Sequence, residues 1–254
     1  MSFVLEKKAE IILHEAVKAI PTGAKVYFVG GSVRNALYYK FFGKKLPQRD
    51  YDVAFIGNNQ LLHALVKNLR ARGFVYARVR KNYFVLRKKK VDKPTELGDY
   101  VYLDIHATDE KTITKSLENN ANFTINGFAL SWKDAFSSDW KNKVSSLPSA
   151  RKDLKNKVLH INKISHPTAL YACIRFASKG FKPPPKSEVQ MMLEALGRLQ
   201  KYRFKRNVKK VFTYVGSEKR ARRIATSLGV KEDIFRWNTI INLRQQKPKV
   251  KHVF

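Results

Sequence analysis

The sequence predicts an α+β fold: a mixed β-sheet with flanking helices, followed by a helical stretch and a strongly basic, helical C-terminal region. Three observations predict it. Up to residue 107, apolar residues switch between helical spacing and short β-rich runs, in the order helix, strand, helix, strand, helix and then three strands. The run KPPPK at 182–186 is a break that neither a helix nor a strand interior tolerates. Beyond that break the chain reads as helical, and its only acids are Glu188, Glu194, Glu218, Glu232 and Asp233.

Each element has its own signal. Residues 3–20 (FVLEKKAEIILHEAVKAI) carry apolar side chains at helical spacing, and Pro21, Thr22 and Gly23 end the run. KVYFV at 25–29 is a short β-rich segment that leads into Gly30-Gly31, and SVRNALYYKFFG at 32–43 reads as a helix with Ser32 as its N-cap. YDVAFI at 51–56 is a second strand. NNQLLHALVKNLRARG at 58–73 supplies a helix with an Asn cap and a terminating Gly73. FVYARVR and YFVLRKK alternate around Lys81-Asn82, which reads as a hairpin turn. A polar loop near VDKPTELGD (91–99) leads into the strand YVYLDIHA at 100–107. Residues 133–160 are polar and turn-rich, and HPTALYACIRFASKGF at 166–181 is a helix closed by Gly180. Bases then cluster in KYRFKR, KK and KRARR, and the tail KPKVKHVF is expected to be mobile.

Composition narrows the function. With 254 residues, 44% of them hydrophobic, the chain can bury one large core or two small ones, which argues against wholesale disorder. No apolar run approaches the roughly 20 residues needed to span a bilayer, and the acid and bases directly after the first apolar patch do not suit a signal peptide. Cys173, the only cysteine, excludes an intrachain disulfide and a cysteine-based zinc site. The expectation is a protein of the cytoplasm or another reducing intracellular compartment, with no membrane partner. Lys and Arg number 51 against 20 acids, a net charge of +31. So large an excess repels itself unless a polyanion offsets it, and nucleic acid is the usual polyanion.

The sharpest local pattern is Asp50-Tyr51-Asp52 at the head of an apolar strand. Residues i and i+2 of a strand share a face, so two carboxylates meet in a small volume where repulsion favours a cation between them. Mg²⁺ accepts one or two carboxylates and completes its octahedron with phosphate oxygens and water. Asp104 lies mid-strand among apolar neighbours and also needs a partner, either a shared metal or one of the many bases. Gly30-Gly31-Ser32-Val33-Arg34 sits at a strand-to-helix junction, where backbone N–H groups and the helix dipole stabilise an anion. Taken singly, an Asp-x-Asp pair is more often a solvated strand end, and a Gly-Gly turn more often a plain turn.

In their order along the chain, these segments resemble a family. GGSVRN followed by RDYDVAFIG is similar to the first motif of class II CCA-adding enzymes and bacterial poly(A) polymerases, within the DNA polymerase β superfamily of nucleotidyltransferases. LDIHAT resembles the strand bearing their third carboxylate, and ENNANFTINGFAL their R-R-D-F-T-I-N-A-L segment. ARKDLKNKVLHIN and HPTALYACIRFASKGF resemble the start and the helix of their neck. The resemblance implies a nucleotidyltransferase head at 1–135, a neck at 136–182 and a basic helical RNA-binding region with a mobile tail at 183–254. It implies catalytic Asp50, Asp52 and Asp104, the first two holding Mg²⁺, with two ions in turnover. Gly30, Gly31, Ser32, Arg34, Asn122, Asn126 and Arg175 would bind ATP or another nucleoside triphosphate. The departures are specific. Asn35 replaces the usual Asp, Asn120-Ala121-Asn122 replaces Arg-Arg-Asp, and His166, Ala169 and Ala172 replace Asp and two arginines of the neck helix. Asp109 stands where many relatives place an arginine, and the base-pairing E-D-x-x-R segment is missing.

Two functional readings follow. In the first, an RNA 3′ hydroxyl attacks a bound nucleotide, with AMP favoured over ordered C, C, A addition because the base-pairing segment is missing. In the second, a catalytically degenerate relative binds RNA within a larger assembly. Either way the expected RNA surface is Lys201, Arg203, Lys205, Arg206, Lys209, Lys210, Lys219, Arg220, Arg222 and Arg223. A stripe of Phe204, Val208 and Phe212 is expected to face the core. A further protein subunit could supply the RNA-gripping parts that full-size members of the family carry.

Overall fold

A computed structural model describes residues 3–46, 48, 50–80, 82–91, 99–164 and 166–245. The tail at 247–254, Lys81 of the hairpin turn and most of the loop at 91–99 lie outside the described residues. The chain packs as two units, one holding the residues up to Ala121 together with Ile125–Lys155, the other Asn122–Thr124 and the chain from Asn156 onward.

In the first unit, helix α1 (Lys7–Val17) buries Ala9, Ile12, Leu13 and Ala16, the i, i+3, i+4, i+7 face that its sequence spacing dictates. Seven strands form one sheet: β1 (Lys25–Val29), β2 (Asp50–Ile56), β3 (Val75–Arg80), β4 (Tyr83–Lys89), β5 (Tyr100–Ala107), β6 (Phe128–Ser131) and β7 (Ser145–Ser146). Their order is β3-β4-β5-β2-β1-β6-β7. Within this sheet, only β2 and β5 pair in parallel. A parallel pair needs a crossover, here built from α3 (Asn59–Ala71) and the β3–β4 hairpin. Asn58 caps α3 by accepting from the Leu61 N–H at 2.9 Å, and Gly73 follows its end at φ +83°.

Alternation splits the sheet into two faces. Val26, Phe28, Tyr51, Val53, Phe55, Val101, Leu103 and Ile105 are buried on one. Helix α2 (Gly31–Phe42) packs against β1, β2 and β6, and Phe28 stacks on Trp132 at 5.1 Å. On the other face Asp50, Asp52, Tyr102 and Asp104 keep partial exposure, and His106 is exposed. The element order read from the sequence agrees with this. Four short elements had no periodicity long enough to read: α4 (Ile113–Asn120), β6, β7 and α5 (Ala150–Asn156). The segment at 133–149, polar in composition, is anchored by buried Ala135, Trp140, Val144 and Leu147. Gly127 has no room for a side chain, since a Cβ there would lie 2.3 Å from Leu147 Cδ1.

One capping expectation is corrected. Ser32 does not cap α2: the N-cap is Gly30, whose φ of +63° turns the chain sharply enough to start the helix at Gly31. Ser32 is buried in the first turn, with Oγ 3.4 Å from the Val29 carbonyl.

The second unit is helical: α6 (Ala169–Ala177), α7 (Lys186–Leu196), α8 (Lys201–Val215), α9 (Glu218–Ser227) and α10 (Trp237–Gln245). Helix α6 is its centre, burying Leu170, Tyr171, Cys173 and Ile174 against α7, α8 and α9. Tyr171 donates its hydroxyl hydrogen to the Ile234 carbonyl at 2.7 Å. The core stripe of α8 is Phe204, Val211 and Val215, with Val208 and Phe212 only half-buried, which corrects the expected Phe204-Val208-Phe212 stripe. Phe204 packs on Trp237 and Phe212 on Phe235. No helix among the described residues is long and apolar enough to cross a membrane.

Candidate active site

Strand register does what sequence spacing alone could not. Asp50 and Asp52 share a face of β2, and the parallel pairing sets Asp104 of β5 directly beside Asp52. Neighbouring strands run about 4.8 Å apart, so the three carboxylates occupy one end of the open face. Burial pushes the Asp52 carboxyl up to about 7, with the charges of Asp104 and Asp50 adding to the shift and Arg34 opposing it. Among the described residues, no group of three or more His, Cys, Asp or Glu is arranged as a ready metal cage. The donor set is nevertheless the kind Mg²⁺ takes, one or two carboxylates with the remaining positions left for phosphate and water.

The glycine turn lies beside these acids. A Cβ on Gly30 would meet Asp52 Oδ2 at 3.8 Å and the Asn126 carbonyl at 3.9 Å, so the turn closes over the head of β2. Gly30 N–H donates to the Phe128 carbonyl at 3.0 Å and thereby fixes the turn against β6. The α2 N-terminus that follows presents the amides of its first turn, a place where an anion is favoured.

Arg34 is held with unusual completeness. Its Nε and one terminal nitrogen donate to Asn35 Oδ1 at 3.2 and 2.9 Å, and the other terminal nitrogen donates to Asn126 Oδ1. Asn35 passes the link on: its amide donates to Gln48 Oε1 at 2.6 Å, and Gln48 donates to the Asp50 carbonyl. A chain of side-chain amides thus ties the arginine of the glycine turn to the strand that carries the acids. Asn35, standing where Asp was expected, provides both an acceptor and a donor and adds no charge to offset Arg34.

The first unit therefore brings together Gly30, Gly31, Ser32, Arg34, Asn126, Asp50, Asp52 and Asp104. Asn122 and Arg175 belong to the second unit. The Asn122 carbonyl accepts from Asn162 N–H at 2.9 Å, and the Arg175 guanidinium lies 5.4 Å from the Tyr214 ring centre. His166 precedes α6, with Nδ1 2.6 Å from Thr168 Oγ1 and Nε2 3.4 Å from an Arg203 terminal nitrogen. Burial, then Arg203 and Arg206, hold its imidazole below the usual range.

Of the bases expected to face RNA, Lys201, Lys205, Arg206, Lys209, Lys210, Lys219, Arg220 and Arg223 are exposed, while Arg203 and Arg222 are half-buried. Arg222 donates to Glu218 at 2.7 Å and pairs with Asp233, so its charge is engaged within the unit. Tyr202 and Tyr214 are exposed. Two groups near the acids went unread in the sequence. Gln48 had no motif to mark it, and Tyr83 donates its hydroxyl toward Asp104 Oδ2 at 3.4 Å. Only the strand alternation of YFVLRKK could have placed Tyr83 on the acidic face.

No protein-family model matches the sequence, and no curated protein matches it. Solved structures do. The Thermotoga maritima CCA-adding enzyme complexed with tRNA is 20% identical with a TM-score of 0.63, over 89% of this chain and 52% of that one. A CCA-adding enzyme with ATP is 20% identical, with a TM-score of 0.65 over 89% of this chain and 52% of that one. A tRNA-processing enzyme in an apo form is 19% identical, with a TM-score of 0.61 over 96% of this chain and 63% of that one. The chain thus has the fold of these enzymes and spans about half the length of the CCA-adding structures it matches.

Proposed function

We propose that this chain, which carries the fold of the CCA-adding enzymes, is a metal-dependent nucleotidyltransferase acting on an RNA 3′ end. The observation that carries the reading is the register of Asp52 against Asp104 beside the Gly30 turn. It sets an acidic, cation-seeking corner next to an anion-seeking one, as the α-phosphate of a nucleoside triphosphate requires. The first-turn amides of α2 and the Arg34 guanidinium hold the triphosphate. Asp50 and Asp52 would hold Mg²⁺, which would supply Lewis-acid activation of the attacking hydroxyl and charge neutralisation of the pyrophosphate. Asp104 orients the RNA 3′ hydroxyl and accepts its proton. The 3′ oxygen then bonds to the α-phosphorus while the bond from that phosphorus to the bridging oxygen breaks, releasing pyrophosphate.

Labelled-nucleotide incorporation tests this. The wild type should extend an RNA 3′ end with Mg²⁺, and Asp52→Ala should lose at least about 1000-fold, the scale of removing a metal ligand and its transition-state stabilisation. Equal incorporation by both proteins would overturn the reading.

AMP is the nucleotide we favour, because the base-pairing E-D-x-x-R segment is missing from the sequence. Neighbours of the fold described with CTP and with ATP support the alternative of CCA addition. Offering each nucleotide singly with a tRNA lacking its CCA end separates the two, and ordered C, C, A incorporation would reject AMP tailing. A third reading, an RNA-binding protein on a retired scaffold, is supported by Asn120-Ala121-Asn122 in place of Arg-Arg-Asp. Its signature is salt-sensitive RNA affinity indifferent to Mg²⁺.

A further inference from the structure

The open sheet face continues past the acids toward the β3 edge. Register aligns two rows of side chains on it: Asp52, Asp104, Val85 and Arg78, and then Ala54, His106, Tyr83 and Arg80. In the second row the Tyr83 and His106 ring centres lie 4.3 Å apart, the rings tilted by 31°. His106 is exposed, and Tyr83 is half-buried with its hydroxyl directed to Asp104. Every residue of β3 is exposed, Arg78 and Arg80 among them. An aromatic pair beside a carboxylate, flanked by exposed guanidinium groups, has the composition of a single-strand nucleic-acid platform: a π-face for a base and cations for its phosphates.

We propose that Tyr83 and His106 stack the terminal unpaired base of the RNA acceptor strand, so that its 3′ hydroxyl comes to Asp104, while Arg78 and Arg80 take the phosphates preceding it. The His106 ring supplies the outer stacking face. Tyr83 supports that ring from beneath and orients Asp104 through its hydroxyl. Any base has a π-face, so the platform grips the acceptor end without reading its identity. The assignment rests on the RNA 3′-end reading above, and its test needs neither nucleotide nor metal.

The probe is a single-stranded RNA of about ten nucleotides, within the usual span of such sites, with 2-aminopurine as its 3′-terminal base, titrated with the full chain in EDTA. Stacking quenches this fluorophore. The wild type should quench it severalfold and His106→Phe should do the same. His106→Ala and Tyr83→Ala should lose the quench and bind about tenfold more weakly. With the fluorophore at the 5′ end instead, none of these substitutions should alter the signal. An unchanged 3′ quench in His106→Ala, whose fold its melting temperature checks, would overturn the platform, as would a wild type that does not quench. Quenching without nucleotide incorporation would reject the catalytic reading and leave the platform standing. Incorporation with no loss of quench in the variants would do the reverse.

Discussion

Asp52 is where folding and chemistry pull apart. Burial and two neighbouring carboxylates raise its pKa from 3.8 to about 7, so between those values the folded chain binds more protons than the unfolded one. Stability then falls as pH rises through that window, and the full cost is present above about 7. A shift of this size corresponds to on the order of 4 kcal/mol. In metal-free buffer, the melting temperature should therefore drop from pH 5 to pH 8 in the wild type and stay nearly flat in Asp52→Asn, which should melt higher at pH 8 while incorporating no nucleotide. Mg²⁺ should restore the wild type at pH 8 and leave the variant unmoved. Parallel pH profiles for the two proteins would refute the assignment of the strain to this carboxyl. At this scale much of the site was legible in the sequence. Asp50 and Asp52 share a face because strands alternate, and Gly30 marks a turn because only glycine adopts its φ readily. The parallel register that pairs Asp52 with Asp104 was not legible, because it depends on a long crossover from Ile56 to Tyr100. Nor was the amide chain through Asn35 and Gln48, since no local rule joins a helix side chain to a loop thirteen residues away.

Helix α9 shows how an element can mix two tasks within one basic run. KRARR reads as four equivalent bases around Ala221, but Ala221 is buried, Arg222 is tied to Glu218 and Asp233, and only Lys219, Arg220 and Arg223 face solvent. Replacing the three outward bases with Gln should weaken RNA binding and flatten the log–log salt slope by about 2, the release of three phosphate contacts on a single strand. Arg222→Gln should leave the slope nearly unchanged and cost stability instead, by about 0.5–1 kcal/mol for a half-exposed pair. Salt titrations of RNA affinity and thermal melts of both variants check this, and a steep slope retained by the triple variant would exclude α9 as a phosphate surface. Element legibility followed length and punctuation. Helix α3 was readable from its Asn58 cap and Gly73 stop. Strands β6 and β7, of four and two residues, fall below any usable period. Pairing to β1 holds β6, pairing to β6 holds β7, and Leu147 fits over Gly127.

For the whole chain, +31 is a folding problem as well as the attraction for RNA that the proposed function calls for. Like charges spread over a protein of this size oppose compaction, and the Debye length shortens from roughly 30 Å at 0.01 M salt to roughly 10 Å at 0.1 M, so moderate salt relieves much of that opposition. The protein alone should accordingly melt higher as ionic strength rises over this range. A polyanion acts differently, because it binds the folded surface and stabilises by mass action, by about 2.7 kcal/mol at a hundredfold excess over its dissociation constant. RNA at low salt should therefore raise the melting temperature by several degrees, and the increment should shrink as added salt releases the RNA. The two salt effects have opposite signs: upward for the free protein and downward for the RNA-dependent increment. Melting curves across a salt series, with and without a short RNA, resolve both at once. A free protein indifferent to salt would mean that its charges are already balanced within the fold. An RNA increment that persists at high salt would mean that stacking and shape, rather than phosphate contacts, dominate recognition, and would move the weight of RNA binding from the basic helices to the aromatic platform beside Asp104.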